Sequence, residues 1–229
     1  MEQLIAYAPL LAKGALVTIA LAIVSLALAT ALGALGAAGK IGGGRISNAL
    51  VQIYTTIVRG VPDLVMILLI YFGGQRLVNV VMGAFGSGPL SVSPFLAGML
   101  AIGFIYGAYL TETFRGAYMT IPRGQTEAAQ ALGLHSWTMV RKIIAPQLIR
   151  FALPGYSNVW QVLVKSTAVV SVIGLQDLVG LANDAGKTAR QPFVFFTAVL
   201  LVYLLFTFLS QQVFNWLERR HALVGHHAR

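Results

Sequence analysis

Cysteine is absent from the 229 residues, which excludes disulfide scaffolds, thiol nucleophiles and cysteine-ligated metals. Charge is scarce: Asp, Glu, Lys and Arg make up 10% of the chain, with 7 acidic residues against 16 basic ones. With 57% hydrophobic residues and a mean hydropathy of +0.78, the chain is too apolar for a soluble domain. The strict alternation of barrel strands is also missing. Long unbroken apolar runs stand in its place, so helices must satisfy the backbone inside lipid. No G-x-x-x-x-G-K-[ST] phosphate loop occurs, so the chain has no ATP site of its own. Nor does any basic stretch interleave with aromatics, and the net charge of +9 therefore does not point to nucleic acid. A basic n-region is lacking before the first apolar segment, so a cleaved signal peptide is not expected.

What is present is a set of uncharged segments long enough to cross a hydrocarbon core of roughly 30 Å. They predict an all-α integral membrane protein, a single transmembrane domain over 1–229 with five transmembrane helices at about 14–39, 62–81, 95–119, 151–172 and 191–217. Residues 1–13 are expected to be a short tail. Small residues fill the second half of the first helix (Ala29, Ala31, Gly33, Ala34, Gly36, Ala37), which predicts close packing against a neighbour. Glu218, Arg219 and Arg220 stop the last segment.

Few charges lie near these helices. Arg59 and Asp63 flank Pro62 and stand at i,i+4, a pair expected at the aqueous boundary of the second helix. Glu112 and Arg115 stand at i,i+3 and are expected to pair, with gating as a second role. Lys165 lies inside an apolar stretch, and Asn158 and Gln161 share its helix face by spacing. A cation at membrane depth costs at least ~2.5 kcal/mol, so Lys165 either faces a partner or a watery path, or snorkels to an interface. His226 and His227 are adjacent, do not share a helix face and have no third ligand nearby, so no metal site is expected there.

The stretch 124–146, GQTEAAQALGLHSWTMVRKIIAP, interrupts the apolar runs. Thr126 can N-cap a short helix, Glu127 complements its positive end, and Gly133 suits the left-handed residue that terminates it. His135 and Ser136 then turn the chain into a second helix carrying Arg141 and Lys142, which Pro146 is expected to limit.

The pattern Glu127-Ala128-Ala129, Gly133, Ile143 and Pro146 resembles the EAA loop of ATP-binding-cassette importer permeases, with Ala145 where that family has leucine. The resemblance implies a coupling helix that seats in a groove of a separate ATP-hydrolysing subunit. The runs YTTIVRGVPDLVMILLIYFG and VWQVLVKSTAVVSVIGLQDL are similar to polar amino-acid permeases. Many of those have aspartate where this chain has Ser166, which removes a carboxylate that could receive a substrate amine. The likeness spans about 14–220 and is greatest to histidine and lysine/arginine/ornithine permeases of bacterial inner membranes.

Taken together, the resemblance implies a multi-pass inner-membrane permease subunit of an ATP-driven importer for basic amino acids or histidine. Its expected partners are a second permease subunit (related or identical), two ATP-binding subunits, a periplasmic amino-acid-binding protein and the lipid bilayer. No cofactor is expected on this chain, ATP and Mg being used by the partner ATPase. Asn158, Gln161, Lys165 and Ser166 become candidates for the substrate path. The competing class is a secondary transporter driven by an ion gradient, which would show paired inverted repeats, and no convincing repeat is seen. A membrane enzyme would need clustered His, Asp or Glu at helical spacing.

Five crossings put the termini on opposite sides. With the N-terminus outside and the C-terminus inside, eleven basic residues are internal (Lys40, Arg45, Arg59, Arg115, Arg123, Arg141, Lys142, Arg150, Arg219, Arg220, Arg229). Four are external (Lys13, Arg76, Lys187, Arg190), and Lys165 completes the 16. The positive-inside rule favours this orientation and puts the 124–146 turn in the cytoplasm.

Overall fold

The computed structural model describes residues 2–86 and 88–221, and no strand occurs among them. Helix α1 (Glu2–Ile41) is followed by α2 (Arg45–Gly60), α3 (Asp63–Ala84), α4 (Pro94–Met119), α5 (Arg123–Ala131) and α6 (Ser136–Met139). A π-turn (Val140–Ile144) leads into α7 (Ala145–Ser166), which passes into a 3-10 stretch (Thr167–Ile173). Helices α8 (Leu178–Thr188) and α9 (Pro192–His221) close the order. Four helices are long and apolar enough to span a membrane alone: α1, α3, α4 and α9. The chain from Ser136 to Ile173 meets that test only together with α8, from which it is bent by 53°.

Helix α4 is the axis. Ser93 caps it by accepting the Leu96 N–H at 3.2 Å, and Pro94 occupies its first turn, where no N–H is needed. Ala101, Ile102, Ile105, Ala108 and Leu110 are fully enclosed. Lipid tails are as apolar as leucine, so helix association must come from close packing rather than from exclusion of water. The α1–α4 contact supplies it with small residues. A Cβ added to Gly33 would stand 2.6 Å from Leu110 Cβ, and one added to Gly107 would stand 2.9 Å from Leu32 Cβ. By contrast Leu200, Leu201, Leu204, Leu205, Phe208 and Leu209 of α9 are exposed, as a lipid-facing surface requires.

Several boundaries differ from those expected. Helix α1 begins at Glu2 rather than at 14, because Leu4, Tyr7 and Leu11 fall on one face and pack on α8 and α9; Tyr7 meets Phe195 edge-on at 5.4 Å. The second crossing is one helix, α3. Residues 46–58, expected as a lead-in, belong to a helix of their own, α2, whose end at Gly60 is separated from α3 by extended Val61 and Pro62. Helix α5 starts at Arg123, not after a Thr126 cap, because Pro122 already sets the entry backbone at φ −61°. Pro146 does not limit the second helix of that turn. The π-turn widens the ladder ahead of it, Gln147 Nε2 donates to the Ile143 carbonyl at 2.9 Å, and α7 runs on to Ser166. The terminal His226, His227 and Arg229 lie outside the described residues.

Candidate functional site

Halfway along α4, Tyr106 donates its hydroxyl to Asp63 Oδ2 at 2.8 Å, and Ser166 Oγ donates to the same oxygen at 3.0 Å. The two hydroxyls also touch each other. Three elements therefore place one polar group each at a single point. Asp63 is the first residue of α3, where the helix dipole favours an anion. Tyr106 is almost fully buried, and Ser166 is the last α-helical residue before the 3-10 stretch. That stretch runs for seven residues, longer than such turns usually persist, and ends at Gly174 with φ +90°. Asp63 is half-buried and opens into a pocket of about 140 Å³ lined also by Tyr106, Tyr109, Asn158, Val159 and Val162.

Asp63 sits level with the middle of α4, and it does not pair with Arg59. The break between α2 and α3 separates the two, and the Arg59 guanidinium lies over the Tyr109 ring, 5.2 Å from its centroid. The face expected for Asn158, Gln161 and Lys165 also divides. Asn158 and Lys165 are exposed together, whereas Gln161 turns towards α9 and donates to the Thr207 carbonyl at 3.4 Å. Position 161 is rotated about 60° from 158 on a helical wheel, enough to change neighbours. Lys165 forms no ion pair with a described residue. Ser166, the residue after Lys165, instead hydrogen-bonds the Asp63 carboxylate.

Below Tyr109, along the same side of α4, Glu112 accepts from Arg115 Nε at 2.9 Å and pairs with the Lys40 ammonium. Lys40 also donates to Gln52 Oε1 at 2.6 Å and to Thr55 Oγ1 at 3.0 Å. A cavity of about 460 Å³ opens there, lined by Gln52, Thr55, Thr56, Arg59, Gly60, Tyr109, Glu112 and Arg115.

At the Lys40 end of the bundle, α5 closes with two crossing bonds: Leu134 N–H to the Ala129 carbonyl at 3.1 Å and Gly133 N–H to the Gln130 carbonyl at 2.9 Å. This closure needs the left-handed conformation that Gly133 adopts, φ +71°. His135 then caps α6 by accepting the Trp137 N–H at 3.3 Å. Ala129 is buried, while Glu127, Ala128, Gly133, Arg141, Lys142 and Pro146 are exposed and Ile143 is half-covered. Two large apolar side chains project from this polar turn: Leu132 is 79% exposed and Trp137 67%.

Residues 29–222 match the family model described as the inner membrane component of binding-protein-dependent transport systems. The chain belongs to that family. Among curated relatives, the permease is 46% identical to the histidine/lysine/arginine/ornithine transport system permease protein HisQ of Escherichia coli, over 96% of this chain and 97% of that one. It is 42% identical to the octopine transport system permease protein OccQ of Rhizobium radiobacter, covering 89% and 86% of the two chains. The arginine ABC transporter permease protein ArtQ of Haemophilus influenzae is 37% identical, at 92% and 93% coverage. Among solved structures, a chain of an amino acid ABC transporter crystallised with histidines superposes with a TM-score of 0.78 at 29% identity, covering 95% of the permease and 96% of that chain. A chain of the inward-facing MetNI methionine transporter shares the fold, with a TM-score of 0.72 at 20% identity over 93% and 97% of the two chains.

Four residues of the permease carry this geometry without a local signal in the sequence. Tyr106 and Lys40 act through partners 43 and 72 positions away. The one clue to Tyr106 was a phenol inside an apolar helix, which must find a partner. Leu132 and Trp137 are ordinary apolar residues until their exposure is known.

Proposed function

We propose that this permease is one of two membrane subunits of an ATP-driven importer for amino acids, with basic amino acids or histidine as substrates. The observation that carries the proposal is the Asp63 pocket. A carboxylate level with the middle of a membrane bundle, steadied by two hydroxyls and opening into a pocket that exposed Asn158 also lines, cannot face lipid. It belongs on a watery path, closed on its open side by a second permease subunit. Asp63 would receive the cationic end of the substrate, and Lys165 and Asn158 would meet its other polar groups. The names of the relatives above, which carry histidine, lysine, arginine, ornithine or octopine, support the same class.

In this account the N-terminus is periplasmic and the 124–146 turn is cytoplasmic, in the bacterial inner membrane. A periplasmic binding protein delivers the amino acid, and two ATP-binding subunits, using ATP and Mg, drive the switch. Leu132 and Trp137, on either side of the Gly133 turn, anchor the turn in the ATPase groove, with Glu127, Ala128 and Pro146 lining the contact. Tryptophan is among the residues that dominate interface energetics, and Leu132 adds apolar area beside it. The test is uptake of L-histidine, L-lysine and L-arginine into proteoliposomes holding the assembled complex. ATP-dependent uptake that survives an uncoupler is expected. Uptake that needs an ion gradient and no ATPase would replace this account with a secondary transporter.

A further inference from the structure

We infer that the cavity around Arg59 is a second station on the path, one that binds the carboxylate of the amino acid after it leaves the Asp63 pocket. The inference rests on the importer account above and adds to it a site of opposite charge. Tyr109 lines both cavities, so the two are neighbours divided by one ring. They differ in size and sign. The Asp63 pocket, about 140 Å³, is smaller than sites that enclose a whole small ligand and can take only one end of it, whereas about 460 Å³ falls within that range.

Charge separates them further. Glu112 is the only carboxylate lining the larger cavity, and it is already engaged by Lys40 and Arg115. Arg59 forms no ion pair with a described residue, and its guanidinium is held against Tyr109. The wall therefore keeps an uncompensated cation whose planar fork matches a carboxylate, beside the amide and hydroxyls of Gln52, Thr55 and Thr56. A substrate that first meets Asp63 through its cationic end would pass Tyr109 and be held next by its carboxylate. Helix geometry sets the step. Tyr109, Glu112 and Arg115 lie three, six and nine residues beyond Tyr106, roughly 5 to 14 Å along α4.

The test uses the full complex with its ATP-binding subunits, nucleotide-free in lipid nanodiscs, after import of L-arginine by the same preparation has been established. Failure to import any of L-histidine, L-lysine and L-arginine would defeat the importer account itself, separately from this station. Bound radiolabelled L-arginine is measured with and without excess agmatine, the same cation without its carboxylate. Where histidine is the imported amino acid, L-histidine and histamine replace them. A fraction of arginine that agmatine does not displace is expected. Arg59→Gln should lower affinity for that fraction at least about tenfold, and Arg115→Gln should weaken it less. Asp63→Asn should leave it in place. Complete displacement by agmatine in the wild-type complex would overturn the proposal, as would a resistant fraction unchanged in both arginine variants.

Discussion

At Asp63, three helices distant in sequence each contribute one polar atom to a half-buried point, and every partner is another part of the same chain. Between Ala129 and Ile144 a continuous stretch turns on Gly133 and leaves its largest apolar side chains, Leu132 and Trp137, without cover. The first region is made by tertiary convergence and the second by local backbone chemistry. A site of the first kind is complete enough to hold a charge, whereas one of the second kind is a surface waiting for something outside the chain. Damage should therefore separate. Changes at the pocket should strike substrate handling and spare assembly, and changes at the turn should strike assembly and spare the bundle.

The largest effect is expected at the pocket. Asp63→Asn keeps the shape but loses the charge, and loss of a charged hydrogen bond of about 2–3 kcal/mol corresponds to a roughly 30- to 150-fold fall in uptake of a cationic amino acid. Initial rates in proteoliposomes measure it, and near-normal uptake would merge the pocket with the inert core. At the turn, Trp137→Ala should weaken association with the ATP-binding subunits by about tenfold or more, the cost of a typical anchoring residue, while the permease still inserts and folds. Co-purification against a fixed amount of inserted permease measures this. Tyr106→Phe removes one hydroxyl from Asp63 at nearly constant volume, so a loss of about 1 kcal/mol, or roughly fivefold in uptake, is expected. Gly133→Ala sets a Cβ in the left-handed region at a cost of about 1 kcal/mol or slightly more, with open space around it. A few-fold loss of coupled transport with normal insertion is the expected result, smaller than that of Gly133→Asp, which adds charge at the docking surface.

The same contrast explains what could be read from sequence. Uncharged runs mark α1, α4 and α9, because length and apolarity are local properties. The Glu112–Arg115 pair forms because i,i+3 spacing is enough to bring the two together. The third member, Lys40, escaped because nothing local joins it to Glu112. Arg59 and Asp63 misled for the opposite reason: their spacing is helical, but Val61 and Pro62 are extended and the relation ends there. Pro146 likewise marks a helix limit by rule, and the π-turn before it carries the helix through. Ser166 registered as a candidate for the substrate path, but its partner did not, since Asp63 enters from α3, 103 positions away.

The separation itself is the claim to test, and one preparation can test it. The assembled complex is reconstituted as wild type, Asp63→Asn and Trp137→Ala, and ATPase subunits retained per permease are measured beside ATP-driven uptake of the cationic amino acid. Asp63→Asn should retain its ATPase subunits at the wild-type ratio while uptake collapses, and Trp137→Ala should lose them with the bundle intact. Full uptake by Asp63→Asn, or an undiminished ATPase ratio in Trp137→Ala, would contradict the account.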